Sequence, residues 1–409
     1  MKILFLSQIV PYPPHGGVLQ RGYNIIRQIA RHHEVHLLAF VHPDTLGSED
    51  LVNDSKYHLE QFCASVDYFD LWPKKSSLHK LIAYASAFVY PLPFSTLAHR
   101  SARFKARMQE IISKEAIDVV HYDTIGLAPY LEFGKDLPNV ITHHNIESTL
   151  MARRSKVEST WLTRYYVGLQ AKRLRRYEIS ESPRFDINVM VSSTDETELK
   201  AMTPSVKTTV VPNGVDVEYF SVRDEEQAPA IIYTGGMNMF ANKDAVMHLI
   251  EDIWPRIRQK VPDAVFKVIG QDPPEELLSI SSRDPSIQVL GFVDDIRPHV
   301  ASSAVYVVPL RVGGGTRLKV LDALSQGKAI VSTSVGCEGI EVTDGKDIYI
   351  EDQDDRFADR VIELLSNAEL RKDLGTHARY LAESRYAWES IGQVLLDAYQ
   401  TVVDQHRKD

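Results

Sequence analysis

The chain has 409 residues, 44% hydrophobic and 25% charged, with a formal net charge of −9 and two cysteines, Cys63 and Cys337. That length is about twice a usual domain, so two domains are expected, and two distant cysteines suit a reducing compartment and argue against a disulfide framework. Residues 1–205 carry 24 Lys+Arg against 22 Asp+Glu and residues 206–409 carry 22 against 33, so the balance argues against bulk nucleic-acid binding and the halves read as different modules.

The opening, MKILFLSQIVPYPP, has one lysine and a short apolar run, Ile3–Leu6. It is too short for a secretory signal and is expected as a first strand. No run approaches the ~18–20 apolar residues of a spanning helix. A cytoplasmic location is therefore expected, with peripheral contact at the inner membrane face left open. After a Pro/Gly loop, VLQRGYNIIRQIARHH has a helical pattern, and Val35–Phe40 reads as a strand. Asp118–His121, Val140–His143, Ile187–Ser192 and Thr208–Val211 are the next strand candidates. The seam is VVPNGVDVEYF, residues 210–220, followed by the polar SVRDEEQAPA. The second half repeats the rhythm from Ile231–Thr234. DAVMHLIEDIW has apolar residues at 246, 249, 250 and 253, one helical face. VFKVIG, IQVLGF, VYVVPL and AIVSTS follow as strands, with a closing helix from Arg356 to Leu365. Short apolar strands alternating with helices predict an α/β fold of two parallel sheets. The expected division is 1–205, a linker over 206–221, and 222–384.

Parallel α/β sheets bind ligands beyond the carboxyl ends of their strands. Two glycine-rich loops occupy such positions. Gly16–Gly17 closes the loop after the first strand and opens a helix, where backbone N–H groups can approach an anion. GGGTRLKVLDALSQG, Gly313 to Gly327, reads as a loop, Thr316 as N-cap, a helix over 317–326, and Gly327 as its terminator. Arg317 and Lys319 would then lie in the first turn, where a cation costs a few tenths of a kcal/mol, to about 1. A diphosphate at that helix end would explain both, with glycine amides and two side chains converging on one negative group. The dinucleotide fingerprint G-x-G-x-x-G is missing from the Ser7–Gly17 loop, which argues against a simple dehydrogenase.

With those residues in view, the chain resembles glycosyltransferase family 4, retaining enzymes of the GT-B fold. The resemblance rests on PYPPHGG, THHNIE at 142–147, the seam VVPNGVDVEYF, VIGQDP at 268–273 and VLGFVDD at 289–295. It continues through VPLRVGGGTRLKVLDALSQGKAIVST and RYAWES at 385–390. It implies two Rossmann-like domains facing across a cleft, with residues from about 385 to 409 returning to the first. A nucleotide-diphosphate sugar would bind chiefly the C-terminal domain and the acceptor the N-terminal one. There are departures. Many members have two glutamates eight residues apart where this chain has Gly314 and Asp322. Many have an arginine and a lysine after the first strand of the second domain. Here that segment is TGGMNMFANKDA, with Gly236 at the arginine position and only Lys243 nearby. Arg317 and Lys319 would replace the lost positive charge, as in a subgroup with GGGTRLK-type loops among bacterial exopolysaccharide enzymes.

By this resemblance His144, Arg317 and Lys319 are the catalytic candidates. The donor would be held by Gly16, Gly17, Gly236, Gly314, Gly315, Thr316, Asp322, Glu338 and Gly339, with Asp322 on the ribose hydroxyls. Glu147 is a weaker candidate beside His144. The expected co-substrate is an NDP-sugar, with no other cofactor and no metal, since the 15 histidines show no ligand spacing with cysteine or carboxylate. The acceptor would be a glycan or a polyprenyl-linked sugar. Residues 151–176 hold eight Lys+Arg against the single acid Glu158, with several aromatics, so contact with an anionic leaflet is one reading and a solvated helix face the other. The apolar stretch 78–94 is expected as a buried helix ending at Pro91. The leading expectation is a glycosyltransferase of cell-surface polysaccharide synthesis. A nucleotide-sugar 2-epimerase-like GT-B enzyme and a non-catalytic GT-B partner remain open.

Overall fold

A computed structural model describes residues 1–14, 17–42, 45–72, 90–158, 160–313 and 316–408. The chain divides into two compact units: Met1–Pro212 with the tail from Ile391, and Asn213–Ser390. In the first unit the strands are β1 (Lys2–Ser7), β2 (Glu34–Val41), β3 (Ser65–Asp70), β4 (Val119–Tyr122), β5 (Asn139–His143), β6 (Ile187–Met190) and β7 (Thr208–Val210). They form a seven-stranded sheet in the order β3-β2-β1-β4-β5-β6-β7, every pairing parallel. In the second unit β8 (Ala228–Thr234), β9 (Val265–Ile269), β10 (Ile287–Gly291), β11 (Ser303–Val308), β12 (Ala329–Ser332) and β13 (Tyr349–Ile350) follow. Their order, β10-β9-β8-β11-β12-β13, repeats that of the first six strands of the other sheet.

The strands are buried because helices cover parallel sheets on both faces, which is why they read as continuous apolar runs. β11, SAVYVV, is buried at every residue, and so are β4 and β5. Phe40 stacks on Phe104 with ring centroids 4.7 Å apart in the first core. In the second, Val305, Val307, Ile330 and Val331 pack with Phe357, Val361 and Leu364 of the helix Asp354–Ser366. Among the described residues no helix is long and apolar enough to cross a membrane.

Several boundaries differ from the sequence expectation. Residues 206–221 are not a free linker: Thr208–Val210 is β7, while Val215 is fully buried and donates its N–H to the Tyr386 carbonyl at 2.7 Å. The return to the first unit falls at Ile391 rather than about 385. Tyr386 keeps the preceding residues with the second unit, being buried in its core, with its hydroxyl oxygen accepting the Glu341 N–H at 2.8 Å. β3 was not expected, because the acids in SVDYFD mask a strand whose Val66 and Phe69 face the core. The helix expected from Asp244 is really three pieces, an α-helix Phe240–His248, a π-helical stretch Leu249–Ile253, and Trp254–Lys260, with Pro255 opening the last. Ser192 is not strand; its Oγ accepts the Asp195 N–H at 3.1 Å and caps the helix Ser193–Met202. Most of 78–94, through residue 89, lies outside the described residues.

Candidate functional site

In each sheet the strand order reverses between the first and fourth strands, the point where open α/β sheets place ligands at their carboxyl ends. The first unit has that reversal between β1 and β4. Ser7 closes β1, and its Oγ donates to the Ile9 carbonyl at 2.7 Å and lies 3.4 Å from Asp123 Oδ2. Asp123 follows β4, and its Oδ1 is 3.1 Å from Nε2 of His144, which follows β5. The next pair repeats the arrangement: Thr124 Oγ1 donates to Glu147 Oε1 at 2.8 Å. Burial pushes the Glu147 carboxyl upward, against the opposing pull of Thr124 and His144. Burial also raises Glu178 to about 7, with the Ser148 hydroxyl and amide opposing it.

Behind this group lies a buried polar layer. The Arg21 guanidinium, from the helix Gly17–Ala30, donates to the Val211 and Pro212 carbonyls at 2.7 Å each. His121 joins Thr142 Oγ1 at 3.0 Å and the Tyr399 hydroxyl at 2.7 Å, so the returning C-terminal helix supports the same sheet edge. Burial drives His121 down to about 3 and His143 to about 4, leaving both imidazoles neutral at physiological pH. Gly17 opens its helix as expected, whereas Gly16 lies outside the described residues.

In the second unit the reversal falls between β8 and β11. The GGGTRLK helix spans Leu318–Ser325, not 317–326, and Thr316 is not its N-cap. That place belongs to Arg317, whose side chain makes no cap and instead donates Nε–H to the Val335 carbonyl at 3.2 Å. Arg317 is only 8% exposed, and its Nη2 is 3.5 Å from Glu338 Oε2. An anchored guanidinium holds its own residue out of the helix, which is why the sequence pattern misplaced the start by one. The C-terminus is as expected. Gly327, at φ +64°, donates to the Leu324 carbonyl at 2.9 Å and Lys328 to Ala323 at 3.1 Å, a Schellman ending.

Lys319 does not point into solvent. Its ammonium donates to the Tyr233 hydroxyl at 2.8 Å and to Asn242 Oδ1 at 2.9 Å, and lies 4.2 Å from the Tyr233 ring centroid. Asn242 in turn donates Nδ2–H to the Gly236 carbonyl at 2.8 Å. A Cβ at Gly235 would come within 2.5 Å of Lys319 Nζ. The lysine therefore fills the space beside the Gly235–Gly236 loop. Burial and then Arg317 bring its pKa down to about 7, while Asp322, one turn on, is raised by burial to about 7. Gly339 has φ +81° next to Glu338. Gly314 and Gly315 lie outside the described residues.

The sequence reading missed Asp123, Thr124, Tyr233 and Asn242. Asp123 had a signal, an acid ending the β4 run DVVHYD; Tyr233 and Asn242 had none. It also missed His248, whose ring nitrogens meet Asp252 at 2.8 Å and Asp354 at 2.9 Å. Arg311 Nη1 lies 3.2 Å from the same Nδ1 and pairs with Asp244, so the cluster is a charge network bracing the strand that leads to the glycine loop.

The family model described as Glycosyltransferase Family 4 matches residues 15–219, and that of Glycosyl transferases group 1 matches 228–367. The chain belongs to glycosyltransferase family 4. This family 4 enzyme is 24% identical over 405 residues to an uncharacterized 44.6 kDa protein in the cps region of Klebsiella pneumoniae, covering 94% of this chain and 96% of that one. It is 25% identical over 211 residues to a GDP-mannose-dependent mannosyltransferase of Corynebacterium glutamicum that acts on a monoacylated phosphatidylinositol monomannoside, covering 47% and 55%. Among solved structures, Anabaena HepE in complex with UDP superposes at a TM-score of 0.67 with 16% identity, over 98% of this chain and all 100% of that one. Sucrose-phosphate synthase of Thermosynechococcus elongatus gives 0.68 at 15% identity, over 99% and 100%. The fold of this glycosyltransferase is GT-B, two Rossmann-like domains each built on a parallel sheet.

Proposed function

We propose that the enzyme transfers a sugar from a nucleoside-diphosphate donor to a lipid-linked or polysaccharide acceptor, with retention, in cell-surface polysaccharide synthesis. The observation that carries this reading is the Lys319 ammonium set against the Gly235–Gly236 loop at the β8/β11 reversal, with Arg317 close enough to depress its pKa. Many family members grip the diphosphate from residues in that loop; here the charge arrives from the facing helix. HepE is known with UDP and with UDP-glucose, and the Klebsiella relative is named for a cps region. In the reaction, the bond from the sugar anomeric carbon to the phosphate oxygen breaks and one to the acceptor oxygen forms. The acceptor proton passes to the departing phosphate oxygen. Arg317 and Lys319 stabilise the charge that develops there, a contribution of several kcal/mol in a water-poor site. His144 orients the acceptor and Asp322 the ribose; no resident metal enters this reading.

The test is nucleoside diphosphate release from purified enzyme with UDP-, GDP- and ADP-sugars, with and without undecaprenyl-diphosphate-linked acceptor. Release that requires both substrates is the expected result. Isomerised donor formed without acceptor would establish the epimerase reading, and donor binding without turnover the non-catalytic one. Residues 151–176 span the helices Glu147–Val157 and Trp161–Glu181, where Trp161 is 78% exposed and Tyr165 63%. Those side chains, with the exposed Arg153, Arg154 and Arg164 of the same two helices, form the surface we assign to an anionic leaflet. The enzyme should sediment with phosphatidylglycerol vesicles and not with phosphatidylcholine ones; equal binding to both would remove the assignment.

The lowered Lys319 pKa sets a pH dependence. Below about 7 the free enzyme already carries the ammonium, and above 7 the diphosphate must draw a proton onto it. Asp322 gains negative charge over the same interval, which holds the Lys319 proton more firmly and so moderates the trend. UDP-glucose, which has no phosphate ionisation there, should bind more weakly from pH 7 to 9, by at most about tenfold per unit. Calorimetry in two buffers of different ionisation heat would show proton uptake. Flat affinity without uptake would remove Lys319 from the phosphates.

A further inference from the structure

Arg311 stands between β11 and Gly313 and takes no part in the donor reading above. We propose that it is a positioning residue: its bidentate pair with Asp244 ties the start of the glycine loop, and through it Arg317, to the same helix that seats Lys319. This rests on the reading of Arg317 and Lys319 as the diphosphate cations.

The helix is Phe240–His248, which follows the Gly235–Gly236 loop. From its first turn the Asn242 amide accepts from Lys319 Nζ at 2.9 Å and donates to the Gly236 carbonyl at 2.8 Å. Two residues on, Asp244 takes Arg311 in a fork: Oδ1 accepts Nη2–H at 2.7 Å and Oδ2 accepts Nε–H at 3.1 Å. The third nitrogen, Nη1, lies 3.2 Å from His248 Nδ1. The Asp244 hydrogen bonds, then the charges of Asp252 and Asp354, hold the arginine above its usual value. The chain before Arg311 is fixed separately, since Leu310 is buried and its carbonyl accepts the Thr333 hydroxyl at 2.5 Å. After it, a Cβ at Gly313 would come 2.8 Å from Arg317 Nη2 and 3.2 Å from Cζ, so the Arg317 guanidinium lies against the Gly313 backbone. One helix thus has two branches, Asn242 to Lys319, and Asp244 through Arg311 and Gly313 to Arg317.

The role of the pair is geometric more than stabilising. The Arg311 side chain is 49% exposed and that of Asp244 20%, so water screens their attraction and the pair adds little to the folding free energy. A two-bond fork fixes orientation as well as distance, however. The chain beyond it has little else to hold it: Val312 is exposed, and Gly313, at φ +148°, has no side chain to pack. With the fork open, Thr333 still holds Leu310 and Asn242 still holds Lys319. Arg317 keeps its bond to the Val335 carbonyl but loses the fixed backbone it lies against. The two cations would then no longer share one frame.

The experiment combines UDP titrations with hydrogen exchange of the ligand-free full chain. Arg311→Ala and Asp244→Ala should each weaken UDP binding by about tenfold, and the double variant by no more than either, as for partners in one contact. In an Arg317→Ala background, removing Arg311 should cost less than about twofold, because its effect runs through Arg317. Arg311→Lys keeps the charge without the fork and should recover only part of the affinity. Melting temperature should fall by no more than about 4 °C in the single variants. Arg256→Ala is the control. Arg256 bonds Asp355 and Asp359 with similar exposure, joining the helices Trp254–Lys260 and Asp354–Ser366 outside both donor loops, so UDP affinity should be intact. In the free chain, the Leu318 and Val320 amides donate to the Thr316 and Arg317 carbonyls at 3.1 and 2.9 Å. Their exchange should quicken by about tenfold in Arg311→Ala and stay unchanged in Arg256→Ala. Wild-type UDP affinity in Arg311→Ala, an undiminished loss in the Arg317→Ala background, or unchanged exchange would overturn the assignment. Because exchange needs no ligand, it judges the coupling even if the wild type binds no nucleotide, a result that would instead sink the proposed function.

Discussion

Lys319→Met should abolish most donor binding while leaving the enzyme at least as heat-stable as the wild type. The two halves of that expectation come from one fact, that the ammonium is held in a buried site at a pKa near 7. In the unfolded chain the same lysine titrates near its ordinary value, so between about 7 and 10 the unfolded state binds more protons. The native state is then penalised for this residue, increasingly as pH falls toward 7. Methionine removes that penalty, fits the four-carbon stem's space, and leaves Tyr233 donating to Asn242 at 2.6 Å. The donor, however, loses a desolvated charge-assisted contact of about 2–5 kcal/mol, a fall in affinity of roughly 30-fold or more. kcat/KM should drop by about 100- to 1,000-fold if the charge also stabilises the leaving diphosphate. Arg317→Ala should cost activity too, but with lower stability, because it also frees the Val335 carbonyl and strands Glu338. Since the cations are near each other, the double variant should fall short of the summed losses. Isothermal titration with UDP and paired melting curves decide the matter. Unaltered UDP affinity in both single variants would mean the diphosphate lies elsewhere.

Why Lys319 could be suspected from sequence, and its partners not, shows where pattern reading stops. Strands such as VYVVPL announce themselves because burial on both faces leaves no polar alternation, and the alternation of strand with helix then implies parallel sheets. A cation at a helix N-terminus is a local anomaly and is visible without coordinates. SVDYFD was missed because an edge strand of the sheet, β3, can carry acids on its open side. Thr316 was misread because a side chain tethered 18 residues away, at Val335, decides where the helix begins. Asp123 is the sharpest case. An aspartate after an apolar run is unremarkable until β1 and β5 are known to flank β4, bringing Ser7 and His144 to either side of it. Sheet order is a long-range property, and the residues it assembles belong to no common motif.

Gly270→Ala should unsettle the second unit and the donor loop together. Gly270 follows β9 and donates its N–H to the Gly291 carbonyl at 2.8 Å, while Gly235 after β8 donates to Ile269 at 2.8 Å. The two loops therefore pack backbone against backbone. A Cβ on Gly270 would sit 1.8 Å from the Gly235 oxygen, 2.6 Å from its carbonyl carbon and 3.2 Å from the Gly236 nitrogen. No rotamer relieves such a clash, because these three nearest atoms are main chain, so the Gly235–Gly236 turn must move. That turn lies directly against Lys319, and any shift pulls the ammonium from Tyr233 and Asn242. Overpacking of this kind costs about 1–3 kcal/mol, or roughly 3–10 °C in melting temperature for a unit of this size. Gly345→Ala separates the loop displacement from simple backbone strain. Gly345 has φ +71° with nothing within 4 Å of its would-be Cβ, so alanine there strains the chain without pushing anything. Both variants should melt earlier than the wild type, but only Gly270→Ala should lose UDP affinity. A Gly270→Ala enzyme that binds UDP as tightly as Gly345→Ala would show that the donor loop does not depend on this contact.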